Sequence, residues 1–426
     1  MPPLFTLGNT DFADIRRKRR FYIDKTHFLT QWWQSGTRLT WVTRPRRFGK
    51  TLMCRTVEEF FSLKYSDQAA LFQDLAVWQA SDMRHVAGTV PVISVSFANI
   101  VGDHFSTARD LLVRTLQETI SAFYFLQNSA LVSHEDQSFL KSFNPNSTSD
   151  ETLQRSLLHL CRALSHHFQR QVILLIDEFD TPMHDALTYG YSDELTTLLN
   201  PMLNLALQDN PYLARGLFFG IAPTAELTAL PSLHSLDIIT AASEKYSSAF
   251  GFTENEVFAA MDRCGLSDRQ NVKDWYDGFT FGHSHDIYNP WSIVNYLQKK
   301  KFEPYWANTS SNALAGQLIQ ESNAKVKQDF ERLLQGKTVV TPLTESIIFQ
   351  DLKSDASALW SLLLASGYLK IAGTADNKNY HLALTNREVR VMFEGLIRRW
   401  FNDENDSYSD FVDTLLSNDI WAVSNS

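Results

Sequence analysis

Five short apolar runs set the tightest limit on what this chain can fold into. "RLTWVT" (38–43), "VPVISVSFANI" (90–100), "QVILLIDEFD" (171–180), "RGLFFGIA" (215–222) and "LDIIT" (236–240) have strand length and are rich in β-branched and aromatic residues. Between them lie longer segments with helical spacing, such as "DKTHFLTQWWQSG" (24–36), "DLLVRTLQETISAFYFL" (110–126), "ETLQRSLLHLCRALSHHF" (151–168) and "ELTTLLNPMLNLALQ" (194–208). Continuous apolar strands alternating with helices call for an α/β fold, a parallel sheet covered by helices on both faces. "HEDQSFLKSFNPNSTSDETLQ" (134–154) is polar and turn-rich and reads as a surface excursion.

The first strand leads into "RPRRFGKTL", and the following "LMCRTVEEFFSLKY" (52–65) has helical spacing. Strand, loop and helix is the context a phosphate-binding loop (Walker A) requires, because main-chain N–H groups and the helix dipole favour an anion there. Pro45, Arg46, Arg47, Phe48, Gly49, Lys50, Thr51 and Leu52 form the expected cradle. Lys50 would reach the β- and γ-phosphates, and the Thr51 hydroxyl would ligate Mg²⁺. An arginine replaces the first glycine of the usual loop, and Pro45 can preset the turn instead. Arg46 and Arg47 either add positive charge beside the phosphates or pair with Asp177, Glu178 or Asp180, and Arg44 is expected to pair.

The third strand ends in Asp177, where a Walker B carboxylate would hold Mg²⁺, and Glu178 follows as the residue that would polarise the attacking water. Each motif strengthens the other. Without a guanine-reading "NKxD" motif, ATP is expected rather than GTP.

Bulk numbers remove other classes. Hydrophobic residues at 44% and charged residues at 20% are those of a globular chain. A net charge of −9 argues against a chain built wholly to coat nucleic acid, although Arg16 to Arg20 ("RRKRR") form one dense cationic run. No stretch approaches the roughly 18 apolar residues of a membrane span, and the start lacks the pattern of a secretory signal. Three scattered cysteines form neither a zinc spacing nor a disulfide framework, so a cytoplasmic location is expected.

Past residue 250, "TENEVFAAMDRC" (253–264) and "NPWSIVNYLQKKK" (289–301) read as helices capped by Thr253 and Asn289. "DASALWSLLLASGYLKIAGTADNKNYHLALT" (355–385) reads as a helix and a hairpin, the outline of a winged helix, and "NREVRVMFEGLIRRWF" (386–401) as a further helix. The expected division is an ATPase core over 1–250, a helical, winged-helix-like lid over 251–401 and an acidic tail over 402–426. Adjacent His166 and His167 make a poor metal pair, and "WYDGF" with "YNPW" is expected to pack the lid on the core. Arg215, placed just before the fourth strand, is a candidate arginine finger.

"RPRRFGKTL", "LLIDEFDTPM", "EKYSSAFGFTENEV", "WYDGFTFG", "IYNPWSIVNYL", "YWANTSS" and "SGYLKI" occur here in one order. Together they resemble the AAA-ATPase-like family of bacterial and archaeal proteins, often fused to a C-terminal PD-(D/E)XK nuclease-like domain. The resemblance implies a P-loop NTPase core of the additional-strand glutamate type followed by a mostly helical lid. It assigns the phosphate-loop roles to Lys50 and Thr51, the metal role to Asp177 and the catalytic role to Glu178. Two departures stand out. After the fourth strand, where the family places a polar and then a basic sensor residue, this chain has Ala222 and Pro223, with Thr224 as a substitute. After residue 401 there is no Glu-x-Lys, so nuclease activity is not expected, and the tail reads as the shortened start of a missing domain.

The leading expectation is a hydrolase, a Mg²⁺-dependent ATPase whose lid passes the nucleotide state to a partner protein or a second copy of the chain. Two others stand beside it: a nucleotide-binding regulatory switch with little turnover, and a DNA-associated ATPase of a defence or mobile-element system using Arg16 to Arg20.

Overall fold

All five apolar runs contain strands: β1 (Leu39–Thr43), β2 (Val92–Ser96), β3 (Val172–Asp177), β4 (Leu213–Gly220) and β5 (Leu236–Ile239). In this computed structural model they form one sheet in the order β2-β3-β4-β1-β5, with every neighbouring pair parallel. The structure describes residues 4–402 apart from 146, 209, 225, 226, 228–234, 308–312, 344–351, 353, 354 and 377. The acidic tail lies outside the described residues from 403 onward.

Side chains alternate across the strands, as the pleat demands. Val172, Leu174 and Ile176 of β3 join a core with Leu112 and Leu116 of the helix Phe105–Ser121, Leu157 and Leu164 of Asp150–Phe168, and Leu199 and Leu203 of Ser192–Leu207. Ile173 and Leu175, equally buried, face the other way. On that second face Phe219 of β4 meets Phe28 of the helix His27–Gln34, with ring centroids 6.5 Å apart. Trp32 of the same helix meets Phe61 of the helix Lys50–Phe61 at 5.8 Å. Each fully buried aliphatic or aromatic side chain contributes about 1.5–3 kcal/mol, so a sheet sealed on both faces is a firm base for groups at its edge.

The expected surface excursion at 134–154 is corrected in part. His134–Ser142 is a helix, started by Ser133, whose hydroxyl oxygen accepts the Asp136 N–H at 3.1 Å. Asp136 is wholly buried, held by His159 Nδ1 at 2.7 Å and by Arg162 Nη2 at 2.7 Å. A polar stretch can look solvated when its charge is matched by partners far along the chain. Burial disfavours the Asp136 carboxylate, yet bonds from His159, Arg162 and Ser133 outweigh that and hold it well below its usual range.

The chain divides into two compact units. One comprises Gly8–Arg44 and Gly49–Thr240, the sheet and its helices, and the other comprises Met1–Leu7, Pro45–Phe48 and Ala241–Ser426. The second contains two small antiparallel sheets. β6 (Phe252–Thr253), β7 (Phe279–Phe281) and β8 (Ser284–Tyr288) run in the order β6-β8-β7. β9 (Val339–Pro342), β10 (Leu369–Thr374) and β11 (Asn379–Leu384) run in the order β10-β11-β9. The helix Ala356–Ala365 precedes the β10–β11 hairpin, and Arg387–Asn402 follows it.

The "WYDGF" rings pack within this unit, Tyr276 lying 6.2 Å from Phe302 and 6.3 Å from Tyr305. Gly278, at φ +116°, lets Thr385 approach so closely that a Cβ would sit 2.1 Å from the Thr385 carbonyl oxygen. Thr253 forms a capping box with Glu256 at the start of Glu254–Arg263. Among the described residues no helix is long and apolar enough to cross a membrane.

Glu388, wholly buried at the start of Arg387–Asn402, gathers the second unit around one carboxylate. It accepts from Ser292 Oγ at 2.9 Å, the Trp306 N–H at 2.5 Å and the Ala307 N–H at 3.4 Å. Burial pushes its pKa from 4.5 up to about 7, against those three bonds. Between these values the folded chain keeps a proton that the unfolded chain has released, so stability falls as pH rises through that window. Urea denaturation from pH 4.5 to 8 should show this slope, and Glu388→Gln should remove on the order of 2–3 kcal/mol of it.

Candidate phosphate-loop site

A parallel sheet brings the carboxyl ends of all its strands to one edge. β4 lies between β1 and β3, so the loop after Thr43 and the loop after Asp177 emerge on either side of one inserted strand. Thr43 is anchored by its hydroxyl, which donates to the Ile239 carbonyl at 3.0 Å. Arg44 then turns inward, wholly buried. Its N–H continues the ladder to the Gly220 carbonyl at 3.1 Å, and its Nη1 donates to the carbonyls of Thr43 at 2.8 Å and Thr240 at 2.9 Å. The expected pairing of Arg44 with an acid is thus replaced by main-chain carbonyls at the ends of β1 and β5. Burial pushes its guanidinium down to about 9.

Lys50 is the first residue of its helix and is buried. Its ammonium reaches back to the Arg44 carbonyl at 2.7 Å, so the side chain spans the whole loop. The loop backbone is left-handed at Arg47 (φ 67°) and Gly49 (φ 83°). Alternation of right- and left-handed residues turns successive N–H groups toward one concave side, the geometry of an anion nest. Leu52, half-buried in the first turn, accepts the Thr56 hydroxyl at its carbonyl at 2.7 Å.

Asp177 ends β3 and is buried. Burial raises its pKa, opposed by a hydrogen bond with the Thr51 side chain and by the charge of Lys50. Among the described residues no donor reaches its Oδ1. A buried carboxylate oxygen without a hydrogen bond, beside a hydroxyl, is an oxygen donor set that suits a hard divalent cation. Glu178, half-buried, has φ 53°, a left-handed conformation that costs a side-chain-bearing residue energy and that recurs at functional positions. Its Oε2 accepts the Thr181 hydroxyl at 3.3 Å.

Of the other loop residues, Pro45 and Phe48 are buried and Arg46 and Arg47 are exposed. Phe48, itself part of the second unit, packs within it on Phe279 and Phe281, at 4.8 and 5.5 Å. The Arg47 guanidinium lies 4.5 Å over the Trp291 ring.

Asp180 does something its sequence position does not announce. It is fully buried, and Oδ2 accepts the N–H groups of Ile221 at 2.7 Å and Ala222 at 2.8 Å, just past the end of β4. One carboxylate therefore ties the loop after β3 to the chain just past β4, which carries Ala222, Pro223 and Thr224. Gly220 is required beside it, because a Cβ there would lie 2.6 Å from Asp180 Oδ1. A buried apolar pattern ending in four residues with three acids was the only available signal. Thr224 is buried, and its hydroxyl oxygen accepts the Leu227 N–H at 3.4 Å.

Further candidates are accounted for locally. Arg215 lies within β4, at the end remote from Gly220, where it donates to the Trp32 and Thr37 carbonyls and stacks 4.5 Å over Trp33. It is therefore remote from Lys50 and Asp177 in the same chain. His167 Nδ1 meets Ser129 Oγ at 2.7 Å, while His166 packs edge-on to Tyr212. In the basic run, Arg16 pairs with Asp74, and Lys18 and Arg20 pair with Asp14. Glu254, Asp277 and Asp286 converge closely enough to hold a metal, yet the Lys273 ammonium already lies 2.6 Å from Glu254 and 3.4 Å from Asp286. Burial and a hydrogen bond with Asp286 raise the Asp277 pKa.

A loop closed by a buried lysine, a neighbouring strand ending in a buried aspartate, and a strand inserted between them define a P-loop nucleotide-binding ATPase fold. The model of the AAA-ATPase-like family, described as "Predicted AAA-ATPase", matches residues 6–228, more than half of the chain, which therefore belongs to that family. The chain is similar to an uncharacterized protein in the vnfD 5' region of Azotobacter chroococcum mcd 1, 27% identical over 426 aligned positions, covering 97% of this chain and 74% of that one. It also shows a likeness to the ORC2 protein of Aeropyrum pernix (ADPNP–ADP complexes), with 10% identity, a TM-score of 0.30, and coverage of 93% of this chain and 96% of that chain.

Asp180→Ala would leave two buried N–H groups without an acceptor. It should cost about 2–4 kcal/mol of stability, read by urea denaturation at neutral pH.

Proposed function

We propose that the protein is a Mg²⁺-dependent ATPase. Lys50 and the main chain of residues 45–51 neutralise the triphosphate, Thr51 and Asp177 hold the cation, and Glu178 orients water for in-line attack. Thr51 and Asp177 would hold Mg²⁺, which would supply Lewis-acid withdrawal of charge from the phosphoryl oxygens. The observation that carries this reading is the meeting of Thr51, Lys50 and the unpaired Asp177 Oδ1 at one sheet edge. ATP binding would displace the Lys50 ammonium from the Arg44 carbonyl and give it phosphate oxygens instead. The strained Glu178 backbone supports a role for that side chain, since a glycine would sit there at lower conformational cost.

The same proposal takes residues 1–250 as the ATPase core and 251–401 as a lid that relays nucleotide state, with the helix 356–365 and its hairpin as a winged-helix-like surface for a protein partner or second copy. The cytoplasm is the proposed working place, where ATP is supplied and the free cysteines Cys54, Cys161 and Cys264 stay reduced.

One observation favours a slower device. The N–H groups of Ile221 and Ala222 are committed to Asp180, and Ala222 has no polar side chain to watch a γ-phosphate. Losing one positioned donor costs about 10²–10³ in rate, so a nucleotide-gated switch with weak turnover is the second reading.

Lys50→Ala should abolish ATP binding in calorimetric titration. Glu178→Gln should keep binding while lowering phosphate release by at least about 100-fold; turnover that survives this change would remove Glu178 from the mechanism. Tight binding by the wild type with no steady-state phosphate release would select the switch.

A further inference from the structure

The Arg46 carbonyl is held by two buried donors of its own unit. Trp306 Nε1 donates to it at 3.0 Å and Asn289 Nδ2 at 3.3 Å. Neither donor is free to wander. Trp306 is 1% exposed, its own N–H is bound to Glu388, and its ring lies 5.6 Å from both Phe279 and Tyr368. Asn289 is wholly buried, and its Oδ1 caps the helix Pro290–Lys299 by accepting the N–H groups of Trp291 at 2.9 Å and Ser292 at 3.3 Å. That cap settles which end of the amide is oxygen, so the nitrogen must face Arg46.

A trans peptide is planar, with its C=O and N–H pointing opposite ways, and the described chain has no cis bond. Holding the Arg46 carbonyl therefore also holds the Arg47 N–H, directed away from Trp306 and Asn289. Arg47 itself has φ 67°, which costs energy for a residue with a Cβ, so its peptide needs external restraint to stay in that state. Phe48, packed between Phe279 and Phe281, fixes the other side of the residue.

We propose that Trp306 and Asn289 are positioning residues for nucleotide binding: they clamp the 46–47 peptide so that the Arg47 N–H is presented to a phosphate. This inference rests on the phosphate-loop reading above. It places the donors that shape a loop near residue 46 on segments some 240 or more positions further along the chain.

The test uses the full chain and two variants that spare the fold. Trp306→Phe keeps an aromatic ring and removes the donor. Asn289→Ser keeps a good N-cap and removes the amide. Each should weaken Mg-ATP binding about three- to tenfold, as expected for one net hydrogen bond. The double variant should lose at least the product of the two, because the plane is then held from neither side. Tripolyphosphate, a probe without base or sugar, should show the same losses in competition. Tyr305→Phe, which removes a bond to the Lys301 carbonyl in the same unit, should leave both affinities unchanged. Wild-type affinity in Trp306→Phe and Asn289→Ser, alongside abolished binding in Lys50→Ala, would overturn the clamp and leave the phosphate-loop reading standing. An equal loss in Tyr305→Phe would reduce the effect to general destabilisation and also overturn it. Absence of ATP binding by the wild type would overturn both.

Discussion

Parallel pairing of β4 with both β1 and β3 is the constraint on which the site depends. Parallel strands share a direction, so the lysine-bearing loop and the acid-bearing loop must leave the sheet on the same edge. The inserted strand sets how far apart they stand, and its end is tied to one of them by Asp180. Three loops are thus held by main-chain ladders and one buried carboxylate. The cost of ordering them is met by a sheet whose central strands are buried on both faces.

Three buried charges of this protein are matched largely by the backbone. Arg44, Asp180 and Glu388 are all buried, and each is matched by peptide carbonyls or N–H groups. Peptide dipoles satisfy a buried charge and at the same time fix the chain segments that supply them. Among the described residues Oδ1 of Asp177 and Oδ1 of Asp180 both lack a donor; Asp177 differs in lying beside the Thr51 hydroxyl and the charge of Lys50.

Much was legible in the linear order of residues. The five strands, a helix following the loop and the caps at Thr253 and Asn289 follow from periodicity and capping chemistry, which are local. The buried run ending at Asp177 announced a strand whose last residue is exceptional. The helix at 134–142 was hidden because Asp136 and its partners His159 and Arg162 are separated in sequence, and a polar stretch looks solvated until its partners are known. Arg44 misled for a related reason. A cation next to acids suggests an ion pair, but its neighbours in space are carbonyls at the ends of two strands.

Sequence alone determined the kinds of chemistry available and the local geometry that carries them: a strand, a loop with Gly49 and Lys50, a helix following it, and a carboxylate at a strand end. Tertiary structure alone decided which groups meet. Nothing local places Trp306 and Asn289 on the Arg46 carbonyl, or Asp180 on the amides of Ile221 and Ala222. Propensity and periodicity arise from interactions within a few residues, whereas a hydrogen bond between distant segments exists only once the core has brought them together and excluded the water that would otherwise compete.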